Sequence, residues 1–400
     1  MTARSTNIVI GGEAGQGLVT VGELLSRVLV ALGYRIVVTQ SYQSRIRGGH
    51  NTYAVRVSAD AVEAPAEAID ILVALNDETV ATHLAELAPG GLVIADEKFC
   101  DGDDRCLRVP FADLAAEKLR NTAALGVSCA VLGIGAAAVQ ETVAAAFGKK
   151  HPETAEANRE VLEKTFAWWA GREASLRALP APPPAPRRLM LNGNQALALG
   201  AVSAGLRFMA FYPMTPSTTV PLTVIETAET MGIVVEQAED EIAAINMAIG
   251  ASFAGAPSMV ATSGGGFALM VEGVSLAGMT ETPLVVVIGQ RPAPATGLPT
   301  RTEQADLEFV LHAGHGEFPR AIFAPGTVEE CFHLARKAFF LTERYQTPVF
   351  VLTDQFLADS SRAVDPLPAV GLDQVKPGAD PASVEGPYRR HAITPDGVSP

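Results

Sequence analysis

Three short stretches of this chain carry residue types that could do chemistry together. The first is Phe211-Tyr-Pro-Met-Thr-Pro-Ser-Thr218, which closes a hydrophobic run from Arg207 to Met214. Pro213 and Pro216 fix φ and remove backbone donors, so Thr215, Ser217 and Thr218 present hydroxyls where a strand ends and a helix opens. The second is the acidic strand-to-helix junction Glu236-Gln-Ala-Glu-Asp-Glu241. The third is Gln290-Arg-Pro-Ala-Pro-Ala-Thr-Gly-Leu-Pro-Thr300, in which Arg291 ends a strand at Pro283–Gly289 and is stiffened by the prolines behind it. Hydroxyls, a carboxylate and a guanidinium at strand C-terminal edges suit an anionic ligand and a proton to be moved. Taken singly, each stretch has a plainer account: Ser and Thr cap helices, and acids favour helix starts through the dipole.

A fourth stretch lies near the N-terminus. Strand Ile8–Ile10 feeds Gly11-Gly-Glu-Ala-Gly-Gln-Gly17 and then an apolar-periodic helix. Such a turn aims backbone N–H groups and the positive end of a helix dipole at one spot, which suits phosphate. Gly12, Gly15 and Gly17 are the candidates. The spacing is not that of a dinucleotide site: Ala14 fills the middle position, and the next strand ends in Gln40 where a ribose-binding acid belongs. Further on, Ser44-Arg-Ile-Arg-Gly-Gly-His-Asn51 adds Arg45 and Arg47, whose forks suit an anion, although a solvated basic loop explains them equally.

These segments must be held by a large α/β scaffold. Four hundred residues, 48% hydrophobic and 18% charged, with 36 Gly and 27 Pro, exceed one ordinary core and fit two or three domains. Before the proline-rich run Pro180–Pro186, strands at Asn7–Gly12, Tyr34–Tyr42, Asn51–Ser58, Asp70–Asn76 and Gly91–Asp96 alternate with helical patterns such as Gly17–Leu32 and Thr79–Leu87. That rhythm predicts a mostly parallel sheet. After it come strands at Phe208–Tyr212, Ile233–Glu236, Ser258–Thr262, Pro283–Gly289, Arg320–Phe323 and Pro348–Leu352. From Asp365 the chain reads as a proline- and glycine-rich connector.

Several function classes are disfavoured. The net charge of −14 argues against nucleic acid as a general partner. The opening residues lead straight into a strand without an apolar signal core, which predicts a cytoplasmic protein. The uncharged stretch Asn121–Gln140 reads as a buried helix and not as a membrane span. Cys100, Cys106, Cys129 and Cys331 lack the spacing of a zinc or iron–sulfur site and read as core or loop thiols. His312 and His315, in Leu-His-Ala-Gly-His-Gly316, make no metal pattern.

Together these residues resemble the alpha subunits of the 2-oxoacid:ferredoxin oxidoreductases, in particular the 2-oxoglutarate type with a fused gamma domain. Gly11–Gly17, Arg47-Gly-Gly49 and Asn121-Thr-Ala-Ala-Leu-Gly126 resemble the gamma part, and Tyr212-Pro-Met-Thr-Pro-Ser-Thr218 and Gln290–Thr300 resemble the alpha part. The resemblance implies a Rossmann-like gamma domain at 1–179, a linker at 180–188, a doubly wound domain at 189–364 that holds the pyrimidine end of thiamine diphosphate, and a connector at 365–400 toward a further domain. It also implies that the chain resembles a partial copy of a longer subunit. Met214 stands where the family has Ile, and Gly265 where it has Pro.

The resemblance further implies roles. Glu241 is the glutamate at N1′ of the aminopyrimidine, with Glu236 and Glu239 as competitors; a carboxylate there favours the imino tautomer, whose nitrogen takes the proton from C2 of the thiazolium. Tyr212, Pro213, Met214 and Pro216 line the cofactor with it. Thr215, Arg291 and Thr300 hold the substrate, Arg291 as the clamp on its carboxylate. No Gly-Asp-Gly…Asn motif for magnesium and diphosphate and no cluster-binding cysteine set is present, so a beta subunit is expected to supply Mg2+ and a [4Fe-4S] cluster in a heterotetramer of two alpha and two beta chains. The implied reaction turns a 2-oxoacid, CoA and oxidised ferredoxin into acyl-CoA, carbon dioxide and reduced ferredoxin. Related pyruvate, branched-chain or aryl 2-oxoacid enzymes remain open, as does a non-catalytic nucleotide-binding or assembly subunit. The glycine loop with Arg45 and Arg47 is expected to hold CoA or to seat the domain where CoA arrives.

Overall fold

The computed structural model describes residues 5–42, 49–100, 102–147, 152–172, 177–184, 186–368, 386–395 and 397–399. The chain forms two compact units, Met1–Met190 with Ser361–Pro366, and Leu191–Ser360 with Leu367–Pro400.

In the first unit the elements run β1 (Thr6–Glu13), α1 (Leu18–Ala31), β2 (Arg35–Ser41), β3 (His50–Ser58), β4 (Ile69–Ala74), α2 (Asp77–His83), β5 (Leu87–Asp96), β6 (Cys106–Val109), α3 (Phe111–Leu114), α4 (Arg120–Val131), α5 (Ala136–Phe147), α6 (Pro152–Trp169) and β7 (Leu189–Leu191). In the second they run α7 (Gly193–Ala204), β8 (Phe208–Phe211), α8 (Thr219–Met231), β9 (Val234–Gln237), α9 (Glu241–Phe253), β10 (Ser258–Thr262), α10 (Gly264–Met279), β11 (Leu284–Gln290), α11 (Leu307–His312), β12 (Ala321–Phe323), α12 (Val328–Tyr345), β13 (Pro348–Asp354) and α13 (Gln355–Asp359). The chain then returns to the first unit as β14 (Arg362–Val364).

The first unit's sheet has the order β6-β5-β4-β1-β3-β2-β14-β7. Strands β1, β4, β5 and β6 are parallel, as the alternation predicts, but β3 runs antiparallel between β1 and β2. The reason is local. Only eight residues, 42–49, separate β2 from β3 in the chain, and a parallel return needs a crossover of a dozen residues or more. One face of the sheet packs Ile8, Ile10, Tyr53, Val55 and Val73 against Leu25, Leu29, Val127 and Leu162 from α1, α4 and α6. On α1, Gly22 lies where a Cβ would overlap the Tyr53 ring, so helix and sheet approach closely.

Two expectations are corrected in this unit. Asn121–Gln140 is not one helix: α4 ends at Val131, Gly133 takes φ 77°, and α5 begins at Ala136. Cys100 and Cys106 are not free loop thiols but a disulfide, with Cα atoms 5.9 Å apart, whereas Cys129 and Cys331 are buried thiols. The pairing arises because the turn after β5 folds back, with Gly102 N donating to Cys100 O, to launch β6 beside β5.

The second unit's sheet is parallel throughout, in the order β12-β13-β11-β10-β8-β9. Its strands β8, β10, β11 and β13 are buried on both faces, which is why they read as continuous apolar runs. On one face Val260, Val286, Ile288 and Phe350 pack against Ile245, Ala248, Phe267 and Met270 of α9 and α10. Phe267 meets Phe309 and Phe350 edge-on, with ring centres 5.2 and 5.8 Å apart. Helices α7 and α12 pack together; Gly200 is needed because a Cβ there would overlap Phe332 O. Among the described residues no helix is long and apolar enough to cross a membrane, and no group of three or more His, Cys, Asp or Glu side chains could hold a metal ion.

Candidate functional site

In the second sheet β8 leads to β9 on one side, and the chain then crosses to β10 on the other, so the strand order reverses between β8 and β10. The crevice outside the C-terminal ends of such strands is where open α/β sheets bind ligands. Four segments meet around it: 212–218 after β8, 238–241 after β9, 262–266 after β10, and 291–306 after β11.

After β8, Tyr212 and Pro213 are exposed, Met214 and Thr215 half-buried, and Pro216 and Ser217 buried. The turn is fastened by Ser217, whose N and Oγ both donate to Met214 O at 2.9 and 2.8 Å, and by buried Asn194 of α7, whose Nδ2 donates to Pro216 O at 2.8 Å. Gly289 of β11 lies beneath it. A Cβ at Gly289 would stand 3.0 Å from Pro216 Cγ. Thus two segments more than seventy residues apart in sequence share one wall.

After β9, Glu236 and Glu239 are exposed, and Asp240 caps α9 by accepting from Ala243 N at 2.7 Å. Glu241, the first residue of the helix, is instead only 3% exposed. Its Oε1 is buried with no hydrogen-bond partner among the described residues. The carboxylate lies against α10: a Cβ on Gly266 would be 2.6 Å from Glu241 Oε1 and would overlap Thr262 Oγ1. A buried acceptor is normally paired, so a carboxylate oxygen left open in a crevice is a place for a donor from a ligand.

After β11, Arg291 is 7% exposed and is held by backbone alone, donating Nη1 to Thr215 O at 2.6 Å and Nη2 to Thr296 O at 2.8 Å. Those bonds tie the third motif to the first. The segment beyond folds tightly: Leu298 N donates to Pro292 O, and Gly297 takes φ 61° where a side chain would collide with Pro292 O. Burial pushes the Arg291 pKa down, with Asp306 opposing. Thr300 is half-buried on the same segment and, among the described residues, hydrogen-bonds neither Arg291 nor Thr215.

Sequence reasoning missed Asn194, Gln290, Ser263 and Asp306. Gln290 Oε1 accepts from Asp306 N at 3.0 Å, while Ser263 Oγ and Asp306 Oδ2 are buried without partners among the described residues. Asn192-Gly-Asn-Gln195 was the one available cue, since Asn192 and Gln195 form a capping box that seats Asn194 at the start of α7.

The first unit has its own crevice, of about 830 Å³, at the ends of β1, β4 and β5. Gly15, at φ 99°, and Gln16 line it with Lys98, Lys118, Arg120 and Asn121, and with the acids Asp96 and Glu117. Gly17, at φ 78°, abuts the Asn121 amide, while Gly12 closes β1 against Gln16. Arg120 Nε is buried without a partner among the described residues. Arg45 and Arg47 lie outside the described residues.

Residues 199–397 match the family model described as "Pyruvate flavodoxin/ferredoxin oxidoreductase, thiamine diP-bdg", and residues 7–168 match "Pyruvate ferredoxin/flavodoxin oxidoreductase". The chain is 32% identical to the 2-oxoacid:ferredoxin oxidoreductase subunit alpha of a Sulfolobus species, over 98% of this chain and 71% of that one. It is 29% identical to the 2-oxoglutarate oxidoreductase subunit KorA of Mycobacterium tuberculosis, over 94% and 65%. The solved 2-oxoglutarate:ferredoxin oxidoreductase of Magnetococcus marinus, described with 2-oxoglutarate, coenzyme A and succinyl-CoA bound, superposes with a TM-score of 0.86 at 32% identity, over 100% of this chain and 71% of that one. An N-terminal gamma-like unit, a thiamine diphosphate-binding unit and end-to-end similarity to such alpha subunits converge: the chain belongs to the 2-oxoacid:ferredoxin oxidoreductase family, as an alpha subunit.

Proposed function

We propose that this alpha subunit serves a CoA-acylating, ferredoxin-reducing 2-oxoglutarate oxidoreductase, with a beta subunit completing the active site. The observation that carries the reading is Glu241, a buried carboxylate with an open oxygen at the crevice that Thr215 and Arg291 also frame. Bound thiamine diphosphate supplies the carbon nucleophile and the electron sink for decarboxylation. Glu241 holds a proton at the aminopyrimidine ring nitrogen, with the Tyr212–Pro216 turn shaping the wall beside it. Arg291 binds the 1-carboxylate of the 2-oxoacid, since a guanidinium held by two carbonyls keeps its charge available, and the Thr215 and Thr300 hydroxyls orient the oxo group.

The choice of 2-oxoglutarate is supported by the ligand set of the M. marinus relative and by the name of the mycobacterial one. Partner binding is supported by apolar stripes on the helices that follow Glu241: Ile242 and Phe253 on α9, each 51% exposed, and Leu269 and Leu276 on α10. We assign diphosphate, magnesium and the iron–sulfur cluster to the beta chain. CoA phosphates fit the first unit's crevice, where Lys98, Lys118 and Arg120 accompany the glycine loop.

The test is reconstitution with a beta subunit. Thiamine- and CoA-dependent reduction of ferredoxin should be faster, as kcat/KM, with 2-oxoglutarate than with pyruvate. A preference for pyruvate would overturn the substrate, and no thiamine-dependent turnover in an intact complex would overturn the catalytic reading. Lys118→Ala with Arg120→Ala should raise the KM for CoA while leaving that for the 2-oxoacid unchanged; an unchanged CoA value would move CoA elsewhere.

A further inference from the structure

Asp306 stands just before α11 yet does not cap it. Its backbone N is pinned by Gln290 Oε1 at 3.0 Å, and its carboxylate is turned onto the start of α10, where a Cβ on Gly264 would overlap both oxygens. The side chain is more than nine-tenths buried, and Oδ2 has no hydrogen-bond partner among the described residues. Gln290 immediately precedes Arg291, so one strand end fixes both the carboxylate and the guanidinium. Each is felt by the other: Asp306 favours the charged form of Arg291, and Arg291 that of Asp306. Among the described residues no carboxylate oxygen lies within ion-pair distance of Arg291, whose placed donors go to the carbonyls of Thr215 and Thr296.

One buried cation is thus balanced at a distance by one buried carboxylate. A 2-oxoacid docking on Arg291 brings a second carboxylate into the same low-dielectric pocket, and two carboxylates sharing one cation cannot both stay ionised cheaply. We propose that Asp306 is the charge-balancing positioning residue of the Arg291 clamp, taking up one proton when the 2-oxoacid carboxylate binds and returning it when the carboxylate leaves. The proposal rests on the reading of Arg291 as that clamp. The ionisable groups around Asp306 are Glu303 on its own segment and Arg291 from β11, with Glu241 of α9 two residues along the same helix start, against Gly266. Burial, and next Glu303, already push the Asp306 carboxyl up, and Arg291 opposes them.

The experiment uses the assembled complex with wild-type and Asp306→Asn alpha subunits. KM for 2-oxoglutarate is measured from roughly pH 5.5 to 8.5, and proton uptake on binding N-oxalylglycine is measured by calorimetry in buffers of different ionisation heat. Wild-type KM should rise with pH, approaching about tenfold per unit above the carboxyl's pKa, and binding should take up a proton. In Asp306→Asn the amide imitates the protonated acid, so KM should be flat and no higher than wild type at the alkaline end. Zero proton uptake by the wild type, or a variant that keeps the wild-type slope, overturns the proposal. So does a uniform rise in KM with an unchanged slope, which marks a merely structural role. Arg291→Ala separates the two readings: an unchanged KM there removes the clamp itself, whereas a raised KM there beside an unaltered slope in Asp306→Asn removes only the role of Asp306.

Discussion

At the residue scale the site turns on which buried groups lack partners. Glu241 is buried where Glu236 and Glu239 are exposed, and its open oxygen is the feature a ligand donor would complete. Glu241→Gln should leave folding and assembly intact but lower turnover by about 100-fold or more, the usual scale for a lost acid–base group. Exchange of the C2 proton of bound thiamine diphosphate is the direct readout, and wild-type exchange in the variant would move the role away from Glu241. Arg291→Ala removes a charge-assisted bond worth about 1.5–3 kcal/mol, so the KM for the 2-oxoacid should rise by roughly 10- to 150-fold. Lysine should restore little, because it cannot reach two carbonyls as a planar fork.

Asp306 also makes a stability prediction. Burial holds its carboxyl above the ordinary value, so the native state binds that proton more tightly than the unfolded chain does. Its favourable contribution is therefore present below the unfolded pKa and is lost as pH rises through the native one. Once its native carboxyl ionises, the wild type carries a buried charge that Asn lacks. Thermal melts should show Asp306→Asn at least as stable as wild type near pH 7 to 8, with the advantage gone near pH 4; the opposite trend would mean that Asp306 is stably ionised. Nothing in the sequence signals this residue, because it follows the exposed run Arg301–Ala305 and its burial is imposed by Gly264, far away in the chain.

At the element scale, the start of α10 is the joint of the second unit. Gly264 receives Asp306, Gly265 lies where a Cβ would be 3.1 Å from Ala295 O, and Gly266 receives Glu241. Gly266→Ala should therefore displace Glu241 or Thr262, at a cost of about 1–3 kcal/mol in stability. C2-proton exchange should fall with little change in the KM for the 2-oxoacid, since Arg291 is not touched; an exchange rate equal to wild type would show that Glu241 relaxes freely. This joint was legible only as a run of glycines. The parallel strands β8, β10, β11 and β13 were legible because burial on both faces makes them unbroken apolar runs. In β3, buried and half-buried residues alternate from His50 to Arg56, the period-two pattern of an antiparallel strand, and it was masked by the βα rhythm around it. The Cys100–Cys106 pairing depends on how the turn after β5 closes, which spacing alone does not encode.

At the scale of the whole molecule, each unit has its own core, yet β14, which follows the second unit in the chain, enters the first unit's sheet between β2 and β7. Strand β14 lies against β2, with Val38 N donating to Ser361 O at 2.9 Å, and Asp365 pairs with Arg35 at 3.0 Å and Arg188 at 2.9 Å. A fragment ending at Met190 would lose these and leave the β2 edge open, a template for association. It should melt below the first unit of the full chain and show aggregates by light scattering. A monodisperse fragment of undiminished stability would show β14 to be dispensable.

The position of β14 also orders events during synthesis. Strands β1 to β7 leave the ribosome early, but on the order of 170 residues must follow before β14 emerges, roughly 10–30 s at common elongation rates. For that interval the nascent first unit has its helices and most of its sheet, while Arg35 and Arg188 wait for Asp365. Chaperones that shield unpaired strand edges have their clearest target here, in a window set by the length of the inserted unit and not by how fast either unit folds.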